Sequence, residues 1–201
     1  MIRTVIFDLG KVIVPFDFGR GYKAMEGLCG LAAAEIPRRI GSTDLVTRFE
    51  SGLVAPEEFV AELSGLLGLE IGYDRFCEIW SSIFLPYTLV PDAMLARLRE
   101  RYRLLLLSNT NAIHFGMIQA NYTFLPYFHD LVLSNEVKAM KPSPVIYREA
   151  IRKAGCRAGE CFFTDDIAAY VEAARREGID AVQFLSLEQL EKDMRARGIE
   201  W

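Results

Sequence analysis

The apolar positions of this chain follow two different periods. Thr4 to Phe7 is a short, β-rich apolar run bounded by Gly10. It is too short for a helix and predicts a strand buried on both faces of a parallel sheet. Pro15 to Gly19 reads as a connector, and the period then becomes helical as far as about Leu85. Met25, Leu28, Leu31, Ile36 and Ile40 recur near every 3.6 residues, interrupted by Gly27, Gly30 and Pro37, which predicts several short helices rather than one long one. Ser42 is placed to cap a helix that runs to Glu50 and stops at Gly52. Pro56 with Glu57 and Glu58 behind it opens another, whose apolar face holds Phe59, Leu63, Leu66 and Leu67. Phe76, Ile79, Trp80, Ile83 and Phe84 form a third stripe. No strand signal interrupts this block.

Beyond Pro86 strand and helix patterns alternate. Leu104 to Leu107, Leu131 to Leu133, Cys161 to Phe163 and Ala181 to Phe184 are short apolar runs separated by amphipathic stretches long enough for right-handed crossovers. The expected fold is α/β: a doubly wound, Rossmann-like parallel sheet core, residues 1–15 and 87–201, with an all-helical cap, residues 16–86, inserted after the first strand.

Composition narrows the partners. Of the 201 residues 51% are hydrophobic and 25% charged, an ordinary globular balance. A net charge of -4 argues against nucleic acid or an anionic membrane surface as partner. A small anionic substrate would therefore be held by a local cluster of cations or by a metal. No apolar run approaches transmembrane length, and Asp8 interrupts the place where a signal peptide needs its apolar segment, so the cytoplasm is the expected location. Cys29, Cys77, Cys156 and Cys161 lack a Cys-x-x-Cys spacing and are expected to be buried free thiols. His114 and His129, the only histidines, fit no metal-ligand or Ser-His pattern.

The candidate chemistry lies at the strand ends. Ligands of open α/β sheets bind at the carboxyl ends of the strands, and the first strand delivers Asp8 there. Ser108 and Asn109 follow the second strand, Lys141 stands before a Pro-Ser-Pro turn after the third, and Asp165 and Asp166 follow the fourth. Taken singly, each has a plainer reading. Asp before Gly is common in turns, Ser-Asn-Thr-Asn suits a helix N-terminus, and Lys-Pro is usually a solvated turn. Taken together they support phosphoryl transfer through an aspartyl-phosphate. Asp8 would be the nucleophile and one ligand of Mg²⁺, which prefers oxygen donors; Asp166, with Asp165 beside it, would hold the metal, and Gly10 would offer its backbone carbonyl. Ser108 and the N–H of Asn109 would bind phosphate oxygens. Lys141 would neutralise phosphate and keep Asp8 ionised.

With these residues in view, the sequence resembles the haloacid dehalogenase-like hydrolase superfamily over essentially its whole length. The matching pieces are Phe7-Asp8-Leu9-Gly10, Leu107-Ser108-Asn109-Thr110, Met140-Lys141-Pro142 with Ile146-Tyr147, and Phe163-Thr164-Asp165-Asp166 with Val171-Glu172-Ala173-Ala174. Within the cap, Phe49-Glu50-Ser51-Gly52 and Glu57-Glu58-Phe59 look like the subgroup containing α-D-glucose-1-phosphate phosphatases. The resemblance implies a Mg²⁺-dependent phosphomonoesterase acting on a small phosphorylated metabolite, such as a sugar phosphate, with the cap closing over it.

The chain also departs from the pattern. Most phosphatases of the superfamily carry an acid/base Asp two residues after the nucleophile, where this chain has Gly10, although the glucose-1-phosphate subgroup shares the Gly. An anomeric leaving group is more acidic than a plain alcohol and needs less protonation. Asp17, just past the hinge at Pro15, is a candidate substitute acid, with a helix cap as its plainer role. Lys11, Lys138 and Tyr170 also stand where relatives often carry other residues; Lys11 is expected to face solvent and Lys138 to place a second cation near Lys141. Two rival readings follow. A 2-haloacid dehalogenase would need no leaving-group proton and no metal, but would leave the Asp165-Asp166 pair without a purpose. A non-catalytic binding or regulatory protein would account for Gly10, Lys11 and Tyr170 together.

Overall fold

The computed structural model describes residues 1–201. Five strands, β1 (Thr4–Phe7), β2 (Arg103–Ser108), β3 (Asp130–Leu133), β4 (Cys161–Asp165) and β5 (Asp180–Gln183), form one sheet in the order β3-β2-β1-β4-β5. Every neighbouring pair is parallel. Phe7 lies opposite both Leu106 and Thr164, so the carboxyl ends of β2, β1 and β4 finish side by side.

The period-2 geometry of a strand explains why these runs are apolar throughout. Val5, Phe7, Leu104, Leu106 and Phe162 point into the core on one face of the sheet, while Ile6, Leu105, Leu107, Cys161 and Phe163 point into the other. Helices α6 (Asp92–Arg101), α7 (Ala112–Asn121) and α11 (Leu187–Arg195) cover the first face through Met94, Leu95, Leu98, Phe115, Ile118, Leu190 and Met194. Helices α9 (Pro144–Ala154) and α10 (Ala168–Arg176) cover the second through Ile146, Tyr147, Ala150, Val171 and Ala174. The result is the doubly wound α/β sheet that the alternating pattern predicts. No helix is long and apolar enough to cross a membrane.

Between β1 and α6 lie only helices: α1 (Phe18–Cys29), α2 (Ile36–Ile40), α3 (Leu45–Glu50), α4 (Pro56–Leu67) and α5 (Tyr73–Ser81). Met25, Ile36, Phe49, Phe59, Leu63, Phe76 and Trp80 belong to one apolar cluster, in which the Phe49 and Phe59 rings stack with centroids 4.0 Å apart. Pro56 opens α4 at a position that needs no amide hydrogen, with Glu57 and Glu58 in the first turn, as the sequence suggests.

Three details differ from the sequence reading. Ser42 does not cap α3; its hydroxyl turns back to Arg39 O and that of Thr43 to Ile40 O, so both close α2 and α3 begins only at Leu45. The third stripe ends as a helix at Ser81, and Phe84 instead forms a bridge with Phe16 at the root of the insertion. Of the four thiols only Cys161 is fully buried.

The helical block is held down at a contact no local pattern announces. The loop after α3 meets a short helix, α8 (Ser134–Val137), where Ser134 Oγ donates to Glu50 O at 2.6 Å and Lys138 Nζ donates to Gly52 O at 2.5 Å. Gly52 has φ +63°, and a Cβ there would lie 1.9 Å from Asn135 O. Gly52→Ala is expected to lower the urea midpoint, because overpacking costs about 1–3 kcal/mol and a left-handed backbone about 1–2 kcal/mol more. An unchanged midpoint would mean that the helical block does not depend on this close approach.

Candidate active site

Asp8 is the first residue beyond β1, its N–H donating to Thr164 O at 3.0 Å in continuation of the sheet ladder. Asp165 ends β4 one strand away. Lys141 joins them: its Nζ is 2.7 Å from Asp8 Oδ1 and 2.6 Å from Asp165 Oδ2, with the Lys141 side chain only 1% exposed. A buried ammonium is tolerated only when paired, and here two carboxylates share it. Burial works against the Lys141 charge, but Asp8 and Asp165 outweigh it and hold the ammonium above its ordinary pKa. Lys141 is therefore charged throughout the physiological range.

Asp8 is less settled. Burial pushes its carboxyl up to about 7 against the pull of Lys141, and the negative charge of Asp165 pushes the same way. Carboxylate oxygens of Asp8, Asp165 and Asp166 lie within 4.8 Å of one another. Asp165 is satisfied by protein, since its Oδ1 accepts from Ile167 N at 2.8 Å and its Oδ2 takes Lys141. Asp166 is half-buried; burial first, then the charge of Asp165, raises its carboxyl, against weaker pulls from the more distant Lys11 and Lys141, and no salt bridge engages it. Acidic groups crowded in this way, one of them unpaired, form a donor set that suits a hard divalent cation. Asp8 and Asp166 are the carboxylates of this set that could offer oxygens to a cation, and Gly10, two residues beyond Asp8, sits where the chain turns back toward Val14.

The Asn109 side chain has a task of its own, separate from its backbone N–H. Its Oδ1 accepts from Lys141 N at 2.7 Å and its Nδ2 donates to Lys141 O at 3.0 Å, so the carboxamide clamps the lysine's backbone from both sides. Ser108, at the end of β2 and 2% exposed, makes only a long 3.3 Å contact to Asn109 O and keeps its hydroxyl available. Asn111 caps α7 by accepting from His114 N, so the Ser-Asn-Thr-Asn stretch serves both the site and the helix start. His114 is structural: buried, pushed down to about 4 by desolvation, and bonded through Nε2 to Trp80 O.

The structure also places the departures. Asp17 caps α1, its Oδ1 accepting from Gly19 N at 2.8 Å, and it lies outside the carboxylate cluster. Lys11 is exposed, with its Nζ 5.0 Å from the centroid of the Phe16 ring. Lys138 reaches across to Gly52 O rather than toward Lys141, correcting the expectation of a second cation at the site. A Cβ on Gly10 would fall 2.7 Å from Phe16 Cε1, so any side chain there would displace the Phe16 ring. Tyr170 stands over Lys141, its ring centroid 5.2 Å from Nζ. Ser134, which also bonds the backbone of Thr110, ties the loop after β2 to the helical insertion, a link no local signal announces.

Residues 2–178 match the family model for haloacid dehalogenase-like hydrolases. The chain belongs to that family. A D-ribitol-5-phosphate phosphatase of Bacteroides thetaiotaomicron is 26% identical over 192 residues, covering 91% of this chain and 92% of its own length. A phosphatase of Mycobacterium tuberculosis is 30% identical over 186 residues, with coverages of 90% and 86%. Among solved structures, a haloacid dehalogenase family enzyme of Bacteroides thetaiotaomicron in complex with magnesium and inorganic phosphate superposes with a TM-score of 0.82 at 28% identity, covering 91% of this chain and 94% of that one. This member of the haloacid dehalogenase-like hydrolases is thus an enzyme whose similar proteins include named phosphatases. Its Asp8 and Asp165 stand at the carboxyl ends of the neighbouring strands β1 and β4, and Lys141, in the loop after α8, reaches in between them.

Proposed function

We propose that the protein is a Mg²⁺-dependent phosphomonoesterase that passes a phosphoryl group through Asp8, with a small sugar or polyol phosphate as substrate. The observation that carries this reading is the buried Asp8–Lys141–Asp165 triad with Asp166 beside it: one unsettled carboxylate, one fixed cation and one unpaired acid around a common point. Asp8 supplies the attacking oxygen, Lys141 neutralises the incoming phosphate, and Ser108 Oγ and the Asn109 N–H bind its oxygens. Asp8, Asp166 and the Gly10 carbonyl would hold Mg²⁺, which would neutralise charge between the carboxylate and the phosphate. The magnesium and phosphate complex of the similar enzyme supports the metal, and the pentitol phosphate substrate of the curated relative supports the substrate class. Glucose 1-phosphate belongs in the panel because its anomeric leaving group suits the missing acid at Gly10. Dehalogenation would leave the Asp166 carboxylate idle.

Purified protein is expected to release inorganic phosphate from members of a panel of hexose, pentose and pentitol phosphates in the presence of Mg²⁺, and to lose that activity in EDTA. Activity that survives EDTA, or halide release from a 2-haloacid without phosphate release, would overturn this reading.

A further inference from the structure

We propose that Glu50, delivered by the cap, is the general acid for the leaving group and the general base for the second half of the reaction; this rests on the phosphatase reading above. The first observation is that residue 10 carries no acid: it is Gly, and the Phe16 ring packs into the space beside it, 2.7 Å from where a Cβ would stand. That ring is itself fixed, edge-on to Phe18 and to Phe84 with centroids 5.0 and 6.0 Å apart. Asp17, the other nearby candidate, is engaged in capping α1.

The second observation is the placement of Glu50. It is the last residue of α3, and its carbonyl is pinned to Ser134 of the core at 2.6 Å, with Lys138 and the close-packed Gly52 fixing the next turn. The Glu50 side chain is partly buried, and neither a hydrogen bond nor an ion pair engages its carboxyl group. It lies near enough to Tyr170 for its charge to add to the effects of burial and Asp165, which raise that phenol. Tyr170 in turn borders the phosphate site, its hydroxyl 3.5 Å from Asn109 Nδ2 and its ring over Lys141.

No nearby cation claims the carboxyl. The elements packed on α3 bring Glu57, Glu58 and Glu62 of α4, Glu136 of α8 and Lys138 after it. Lys138 is taken by Gly52 O, while Arg48 on α3 itself stands 4.0 Å from both Asp44 and Glu62. Burial alone pushes Glu50 up to about 7, which leaves a large protonated fraction at neutral pH. An acid with that pKa is matched to donate and recover one proton per turnover.

The proton balance closes. Asp8 Oδ bonds to phosphorus as the phosphorus–ester oxygen bond breaks, and the bonding pair goes to the leaving oxygen, which takes the Glu50 proton and departs as a neutral alcohol. Water then attacks the aspartyl-phosphate, giving a proton to the Glu50 carboxylate as the Asp8–phosphorus bond breaks and its electron pair returns to Asp8. Inorganic phosphate leaves, and Glu50 is again protonated.

The test uses the intact enzyme with Mg²⁺ and two substrates that differ in leaving group. Glu50→Gln is expected to slow alcohol release from an alkyl phosphate by roughly 10²- to 10⁴-fold. The pre-steady-state burst from p-nitrophenyl phosphate, whose leaving group departs without a proton, should keep the parent rate, with slower turnover after it. Equal slowing of the leaving-group step on both substrates, read as alcohol release and as the p-nitrophenol burst, or no slowing of it on either, would overturn the assignment while leaving the phosphatase reading intact. A parent enzyme inactive on every phosphate ester would overturn both. Circular dichroism that matches the parent's shows that the variant folds, as expected when the carboxyl makes no structural contact.

Discussion

Asp8→Asn is expected to abolish phosphate release from every substrate, with kcat falling by on the order of 10⁴- to 10⁶-fold, the range seen when a covalent nucleophile is removed. The carboxamide keeps the shape of the side chain but cannot form the acyl phosphate. The fold should survive, because Lys141 retains its 2.6 Å partner in Asp165 and because Asn removes a carboxylate that burial disfavours. Two measurements check this: phosphate release under Mg²⁺, and a thermal midpoint no lower than the parent's. A variant with substantial activity would show that Asp8 is not the attacking group. A variant that is inactive and also unfolded would show instead that Asp8 is needed for the architecture, and Asp8→Ala would then serve as the comparison. The effect should be the same for alkyl and aryl phosphates, which separates it from the leaving-group selectivity expected of Glu50→Gln.

The parts of this site that are readable in the sequence are the ones that depend on local pattern. A buried parallel strand is a short apolar run, and whatever polar residue ends it must emerge at one edge of the sheet, so Asp8, Ser108 and the Asp165-Asp166 pair are visible as strand-end groups. What escapes is every contact between residues distant in the chain. The backbone N–H of Asn109 is legible as a phosphate donor because it follows Ser108, but nothing local shows that its carboxamide holds the backbone of Lys141, 32 residues away. Lys138 looks like a second site cation because it is three residues from Lys141, but it bonds Gly52 in the cap, 86 residues away. Gly10 reads as a missing acid, and only the position of Phe16 shows that the space is already filled. Ser42 fails for a local reason: a hydroxyl before a helix has the carbonyls of the preceding helix as competing partners, and here one of them wins.

Lys141→Met is expected to cost stability as well as activity, and the stability loss should depend on pH. The ammonium is the one buried cation between Asp8 and Asp165, and breaking a buried ion pair by removing one partner costs roughly 3–5 kcal/mol. Without the lysine, two buried carboxylates face each other, and the Asp8 carboxyl, already pushed up to about 7, rises further because Lys141 was the group lowering it. An acid raised in the folded state binds more protons there than in the unfolded chain, so stability climbs as the pH falls through the window between the unfolded and folded pKa values. The parent gains less from acid, since its Lys141 is held charged across that window and keeps the carboxylates compensated. The deficit of the variant, read from urea midpoints without divalent cation, should therefore be larger at about pH 8 than at about pH 5. Equal deficits at both values would mean that the lysine acts through packing of its stem alone. Added Mg²⁺ should narrow the gap at the higher pH, because a divalent cation at Asp8 and Asp166 replaces part of the lost positive charge, while phosphate hydrolysis stays low for want of the cation that meets the substrate.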